Sequence, residues 1–122
     1  MTIRKLILGA AIASALLAAD PAVEQARKKV ADKKFDEAIA QLEGAYKAKP
    51  GAADVKKALA DAHLAKGDFF MNDPATPPRV KYPTALRAYR EVLKYDKENG
   101  KAKQGISTIE GIYKSMGRPI PQ

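Results

Sequence analysis

Two segments of the chain repeat the same order of aromatic, small and large apolar residues. One begins at Phe35 and the other at Tyr82, and each places an alanine three residues later, at Ala38 and Ala85. Phe69, between them, follows Phe35 by 34 residues. A period near 34 residues is typical of helical hairpins that stack so that each covers the apolar face of its neighbour. The spacing therefore predicts an all-α chain built from a repeated hairpin.

Helical periodicity and terminal signals predict five helices, or about two and a half hairpins. Their predicted bounds are Asp20–Lys33, Phe35–Ala48, Ala53–Lys66, Pro83–Tyr95 and Glu98–Met116. Asp20 suits an N-cap and Gly67 a C-cap for the third helix. The predicted buried stripe of the fifth helix consists of Ile106, Ile109, Tyr113 and Met116. Gly117 ends the helical domain 20–117, and residues 118–122 are expected to form a loose tail.

Residues 1–19 have the layout of a secretory signal peptide. Arg4 and Lys5 precede an uncharged, mainly apolar run from Leu6 to Ala19 that ends in small residues. This run is shorter than the ~20 residues that span a bilayer. Cleavage after Ala19 is the preferred interpretation, with Ala15 as the second choice. An uncleaved anchor or a buried N-terminal helix remains the alternative.

Removal of this segment changes the net charge of the chain from +8 to +6. The remaining domain has no cysteine, so its core must rely on packed helices. We expect an exported protein, periplasmic or extracellular, with no membrane span once the signal peptide is removed. The basic residues are interpreted as a solvated face, or as a surface that attracts an acidic partner.

Residues 70–81 interrupt the repeat with three prolines, which exclude a continuous helix. We interpret them as a 12-residue insertion inside the second repeat. Its candidate contact residues are Phe70, Met71, Pro77, Pro78 and Arg79. In one interpretation they form an ordered loop that contacts a partner. In the other, Phe70 and Met71 extend the third helix and pack on Tyr82.

The chain from residue 20 onward resembles the tetratricopeptide repeat family. The residues that carry the resemblance are Phe35, Ala38, Ala45, Pro50, Leu59, Ala60, Gly67, Phe69, Tyr82, Ala85 and Tyr89. The resemblance implies a right-handed stack of antiparallel helical hairpins, an α-solenoid. It also implies a concave groove that binds a peptide or helix. By position, that groove is lined by Val23, Arg27, Val30, Lys57, Asp61, Leu64, Gln104 and Thr108.

The sequence carries no recognisable constellation for catalysis, and we expect no enzymatic activity. His63 is the single histidine, and a metal site needs several converging ligands. We interpret it as a packing residue, and we expect no cofactor and no metal. No aromatic residue is interleaved with the basic pairs, which speaks against binding of nucleic acid.

The predicted function is that of a non-catalytic scaffold in the cell envelope, which binds another protein or a peptide. An acidic partner is one of the expected kinds. The alternative is a structural or assembly role through self-association, in which the apolar stripe of the fifth helix pairs with a neighbouring chain.

Overall fold

The computed structural model of the chain describes residues 20–122. Within that range the chain forms five helices and no strand: α1 (Pro21–Ala31), α2 (Phe35–Ala48), α3 (Ala53–Asn72), α4 (Pro78–Tyr95) and α5 (Gly100–Ser115). Short turns join consecutive helices, so α1 with α2 and α3 with α4 form two hairpins, and α5 is the additional helix. The prediction of an all-α fold with five helices is confirmed.

Helices α1 and α2 follow the signals in the sequence. The side chain of Asp20 accepts a hydrogen bond from the backbone N–H of Ala22 at 2.9 Å, and Pro21 occupies the first helical position. Helix α2 begins at Phe35 as predicted. Lys33, in the turn between the two helices, has a φ of 62°. This left-handed conformation is unusual for a residue with a side chain, and here it belongs to the tight reversal of the chain.

Two apolar clusters share helix α3. The first cluster is formed by Val23, Ala26, Ala38, Ile39, Leu42, Val55, Ala58, Leu59 and Ala62. The second cluster is formed by Ala60, Ala85, Leu86, Tyr89, Val92, Ala102, Ile109 and Tyr113. Ala38 and Ala85 are both 0% exposed, so the two repeated alanines lie where helices pack most closely. Helix α3 is therefore covered on both sides, by the first hairpin and by α4 with α5.

The second hairpin is longer than the sequence predicted. Helix α3 continues to Asn72 instead of ending at Lys66, and α4 begins at Pro78 instead of Pro83. Residues 70–81 are therefore not a 12-residue loop, because only residues 73–77 lie outside the helices. Pro78 is tolerated because the first turn of a helix leaves N–H groups unpaired anyway. Pro83 lies inside α4, where its missing N–H removes one backbone hydrogen bond.

Burial explains the additional turns. Phe70 and Met71, at the end of α3, and Tyr82, in α4, all pack against the second cluster. Burial of apolar area at these positions stabilises helix beyond the point at which the repeat pattern ends. The interpretation that Phe70 and Met71 extend the third helix is the one that the structure adopts.

Gly67 lies inside α3, so the prediction that it caps this helix is wrong. A Cβ atom at Gly67 would lie 2.7 Å from the ring of Tyr89, and a Cβ at Gly105 of α5 would lie 2.5 Å from the same ring. The Tyr89 hydroxyl donates a hydrogen bond to Oδ1 of Asp68 at 2.7 Å. Burial and this hydrogen bond raise the pKa of Tyr89. The two glycines thus make room for one tyrosine between α3 and α5.

Helix α5 buries Ile109 and Tyr113 and half-buries Ile106, in agreement with the predicted stripe. Met116 was expected in the same stripe but is 49% exposed, because the helix ends at Ser115 and Met116 is its C-cap. The stripe is therefore occupied by contacts within the second cluster. Pairing of this helix with a neighbouring chain stays a prediction.

The C-terminal tail lies against the folded domain, although the sequence suggested a loose segment. Ile120 packs on the second cluster. Nη1 of Arg90 donates a hydrogen bond to the carbonyl oxygen of Pro121 at 2.9 Å. These two contacts position the tail without any helix or strand.

Candidate functional site

Helices α1 and α3 flank a depression of about 100 Å³, which we call the groove. It is lined by Val23, Ala26, Arg27, Val30, Leu42, Ala58, Asp61 and Ala62. All of these residues are apolar except Arg27, on the α1 wall, and Asp61, on the α3 wall. Pockets that bind ligands are mostly apolar, with a few polar groups that fix orientation. The groove has such a mostly apolar lining, and its volume suits a small apolar side chain.

Four of the eight predicted groove residues line this depression. Val23 is 3% exposed and belongs to its floor, and Val30 is half-buried. The side chains of Arg27 and Asp61 are 66% and 54% exposed, so both charges are accessible to a partner.

The other four predicted residues lie elsewhere. Lys57 is exposed, one turn before Asp61 on α3. Leu64 is half-buried and packs against the second cluster. Gln104 and Thr108 are exposed on α5. A role for these four in partner binding stays a prediction.

Sequence reasoning missed the residues that give the groove its depth. Ala26, Ala58 and Ala62 are almost fully buried, and their short side chains leave space between the two helices. Leu42 of α2 closes the depression from below. The spacing of four residues between Ala58 and Ala62 was the available signal, because it puts two small side chains on one face of α3.

Both cations among the predicted groove residues have acidic neighbours. Nη1 of Arg27 lies 3.7 Å from Oε2 of Glu24. Nζ of Lys57 donates to Oδ2 of Asp61 at 2.9 Å. Exposed pairs of this kind contribute only about 0–1 kcal/mol, so a partner carboxylate competes for these cations at little cost.

The residues predicted as an insertion loop separate into two groups. Phe70 and Met71 are half-buried in α3, whereas Pro77, Pro78 and Arg79 are exposed at the end of the second hairpin. Asp73 organises the turn there. Its carboxylate accepts hydrogen bonds from the backbone N–H of Ala75 and from the hydroxyl of Thr76. These two hydrogen bonds lower the pKa of Asp73.

His63 is packed inside the domain. Its side chain is 7% exposed and stacks on Tyr95, with ring centroids 6.0 Å apart. Its Nε2 atom is buried without a hydrogen-bond partner in residues 20–122. Burial lowers the pKa of His63, and the negative charges of Glu91 and Glu43 oppose this effect only in part. The neutral imidazole is therefore the form that this site favours.

We expect acid to destabilise the domain through His63. The pKa of His63 in the folded protein lies below its ordinary value of 6.5, so the unfolded chain takes up this proton first as the pH falls. The stability that depends on neutral His63 is complete above pH 6.5 and is lost as the pH falls toward the folded-state pKa.

Thermal unfolding of the wild type and of His63→Phe between pH 8 and pH 4 tests this expectation. The charged groups around His63 are Glu43, Lys66, Glu91 and Lys94. They are present in both proteins, so the difference between the two melting temperatures isolates the histidine. Below pH 6.5, the melting temperature of the variant should rise relative to that of the wild type. A difference that stays constant over the whole range would contradict the assignment.

Within residues 20–122, no group of three or more histidine, cysteine, aspartate or glutamate side chains is placed to hold a metal ion. No helix of this part of the chain has the length and apolar character needed to cross a membrane.

Comparison with protein families agrees with the fold of stacked helical hairpins. Residues 29–69 match the family described as tetratricopeptide repeat. This range contains the end of α1, all of α2 and most of α3. This part of the chain is therefore similar to the tetratricopeptide repeat family. Comparison with curated proteins and with solved structures finds no match.

Proposed function

We propose that this protein is a non-catalytic scaffold that binds a segment of another protein in the groove between α1 and α3. The observation that carries the proposal is the groove itself, an open apolar depression with accessible charges on its walls. Proteins of this family typically act as scaffolds for protein interactions. The groove lies between the first helices of the two hairpins, so a bound segment contacts both repeats.

The partner segment is proposed to carry acidic residues beside apolar ones. Its apolar side chains occupy the groove, and its carboxylates replace Glu24 and Asp61 as partners of Arg27 and Lys57. Without Arg4 and Lys5, the chain has a net charge of +6, which favours the approach of an acidic segment. The low stability of exposed ion pairs makes this exchange feasible.

Reversal of both charges should weaken binding of this partner. We expect Arg27→Glu combined with Lys57→Glu to reduce affinity at least about tenfold, because two attractive contacts become repulsive. The partner is recovered by affinity capture with residues 20–122 from the native envelope fraction, and its affinity is then measured by calorimetry. The matched control is Lys97→Glu with Lys114→Glu, which makes the same change in net charge at exposed positions outside the groove.

Salt provides a second measurement on the same proteins. The Debye length falls from ~10 Å at 0.1 M to ~3 Å at 1 M, so binding to wild type should weaken as salt increases. The circular dichroism spectrum should show that the double reversal leaves the helices intact. Affinity that survives both reversals and does not depend on salt would refute an acidic partner at this site.

Export to the cell envelope is the second part of the proposal. The layout of residues 1–19 supports it, as does one contact at the start of the fold. The backbone nitrogen of Asp20 donates a hydrogen bond to Oδ2 of Asp54 at 2.9 Å. In a chain that begins at Asp20, this nitrogen becomes a charged ammonium group beside a carboxylate, which strengthens the contact.

Mass spectrometry of native protein tests this part of the proposal directly. We expect the mass of a chain that begins at Asp20 or close to it, recovered from the envelope fraction. Recovery of the intact chain from the cytoplasm would rule out the export proposal. The proposal that the groove binds a partner would be unaffected.

A further inference from the structure

The net positive charge of residues 20–122 comes from two segments that contain no acidic residue. Residues 74–90 and 111–122 have no aspartate or glutamate, and their basic residues are Arg79, Lys81, Arg87, Arg90, Lys114 and Arg118. The rest of this part of the chain has 14 acidic residues and 14 basic ones, so its formal charge is zero. The charge of +6 therefore belongs to α4 and to the end of α5 with the tail.

The antiparallel arrangement of α4 and α5 brings the start of one helix level with the end of the other. Tyr89 lies beside Gly105, because a Cβ atom at Gly105 would be 2.5 Å from its ring. Val80 lies nine residues before Tyr89, and Met116 lies 11 residues after Gly105. At about 1.5 Å of rise per residue, these two paths differ in length by only about 3 Å. Val80 and Met116 are therefore at nearly the same level of the hairpin.

This end of the second hairpin projects from the domain. Helices α1 and α3 begin at the same level, because the backbone nitrogen of Asp20 donates a hydrogen bond to Asp54. The same 34-residue offset places Ala31, the end of α1, level with Ala65 of α3. Helix α3 therefore extends about 10 Å past the end of α1. Residues 73–77 connect it to the start of α4, which projects to the same extent.

Exposed apolar and basic side chains occur together at this projecting end. Val80 is 47% exposed and Met116 is 49% exposed, and they are the exposed large apolar residues of the described chain. Arg79, Lys114 and Arg118 are their close neighbours in sequence, and all three are exposed. We call these five residues the tip.

The ends of two helices hold the backbone of the tip in place. The N–H group of Val80 donates a hydrogen bond to the carbonyl oxygen of Pro77 at 2.9 Å. The N–H group of Arg118 donates to the carbonyl oxygen of Tyr113 at 3.0 Å, across a Gly117 with a φ of 65°. This reversal commonly ends a helix. The tip is therefore an ordered surface and not part of a loose tail.

Acidic side chains near the tip compensate little of its charge. Asp73 accepts two hydrogen bonds within its own turn, which lower the pKa of its carboxylate, and Lys81 is close enough to add to this effect. We therefore do not count Lys81 in the tip. Glu110, one turn before Lys114 on α5, is half-buried. Within residues 20–122, the three tip cations form no salt bridge.

We propose that the tip docks on an anionic phospholipid surface. Val80 and Met116 enter the boundary between headgroups and acyl chains, and the three cations pair with phosphate groups around them. A fluid lipid layer adapts to projecting side chains, whereas a folded partner would need a cavity that matches them. A second copy of this chain is a poor occupant, because it would bring the same cations face to face.

This inference goes beyond the proposed function, since the tip and the groove share no residue. Binding to vesicles tests it. Residues 20–122 contain all five helices and both apolar clusters, so they are used without the apolar segment before Asp20. We expect them to sediment with vesicles in which phosphatidylglycerol replaces about a third of the phosphatidylcholine. Affinity for phosphatidylcholine alone should be at least about tenfold lower, and equal affinity would overturn the proposal.

Reversal of two tip charges should reduce binding to the anionic vesicles. We expect a loss of at least about twentyfold for Arg79→Glu with Arg118→Glu, because each basic residue near such a surface contributes about fivefold. The matched control is Lys97→Glu with Lys101→Glu, which makes the same change in net charge at exposed positions at the opposite end of the hairpin. It should stay within about threefold of the wild type, because distant charges are screened. Equal losses in the two variants would overturn the proposal.

A fluorescent side chain locates the contact. The chain has no tryptophan, so Met116→Trp introduces a single probe at the tip and Lys97→Trp introduces one at the opposite end. On addition of anionic vesicles, the emission of the first variant should shift to shorter wavelength, and lipids with brominated acyl chains should quench it. The emission of the second should stay unchanged. An unchanged spectrum of Met116→Trp would overturn the proposal.

The same variants separate a lipid surface from a protein at the tip. If vesicles do not bind, and the partner captured for the groove loses affinity when Arg79 and Arg118 are reversed, the tip contacts that protein and the lipid proposal is overturned. Failure of the partner to respond to reversal of Arg27 and Lys57 counts against the groove alone.

Discussion

Gly105→Ala should lower the melting temperature of the domain by about 5–20 °C, which corresponds to overpacking by about 1–3 kcal/mol. The added methyl group would lie 2.5 Å from the ring of Tyr89. This ring cannot move away, because Gly67 contacts its other side and its hydroxyl is bonded to Asp68. Thermal unfolding followed by circular dichroism measures the effect.

Gly111→Ala is the matched control, because it changes a glycine of the same helix. Nothing lies within 4 Å of the position that its Cβ would occupy. Alanine there should stabilise α5 by roughly 0.5–1 kcal/mol, since glycine is the poorer helix former. We expect Gly105→Ala to lower the melting temperature and Gly111→Ala to raise it. An increase in melting temperature for both would show that Tyr89 does not fill the space between α3 and α5.

A double-mutant cycle attributes the effect of Gly105→Ala to Tyr89. In the background of Tyr89→Leu the aromatic ring is absent, so the additional methyl group should cost much less than it does in the wild type. The same cycle with Gly67→Ala tests the opposite side of the ring, where the Cβ would lie 2.7 Å from it.

Deletion of Phe70–Tyr82 should destabilise the domain by about 3 kcal/mol or more, although it restores an uninterrupted repeat of 34 residues. The deletion removes Phe70, Met71 and Tyr82, all of which pack on the second cluster. A shorter connection offsets little of this loss, because loop-closure entropy changes by only about 0.6 kcal/mol for each doubling of length. Chemical denaturation of wild type and variant measures the difference.

Two single substitutions separate the packing contribution from the change in chain length. Met71→Ala truncates a half-buried side chain of the second cluster, whereas Val80→Ala truncates one that is 47% exposed. We expect the first to cost about 1 kcal/mol or more and the second to stay within about 0.5 kcal/mol. If the deletion leaves stability unchanged, the projecting end of the second hairpin is not part of the core.

The chain order of the helices was predictable because their signals are local. Asp20 with Pro21 sets the start of α1, and Phe35 begins α2 where the repeat pattern predicts it. Gly117, with a φ of 65°, follows the last helix. Caps, proline and positive-φ glycine act through the backbone of neighbouring residues, so they can be recognised without knowledge of the tertiary contacts.

The groove was predictable only in part. Arg27 and Asp61 were found because the resemblance to a repeat family assigns positions on the first helices of successive hairpins. The alanines that give the groove its depth have no distinctive chemistry in the sequence. Their role follows from the distance between α1 and α3, which is a property of packing.

By itself the sequence determined the helical period, the number of hairpins and the first two helices. The tertiary structure decided the structural role of Gly67 and the length of α3. Gly67 has the local signature of a helix end, but Tyr89, 22 positions later, requires its missing side chain inside the helix. Phe70 and Met71 continue the same helix because the second cluster covers them. Local signals limit the backbone conformations of a residue, and burial against distant residues selects among them.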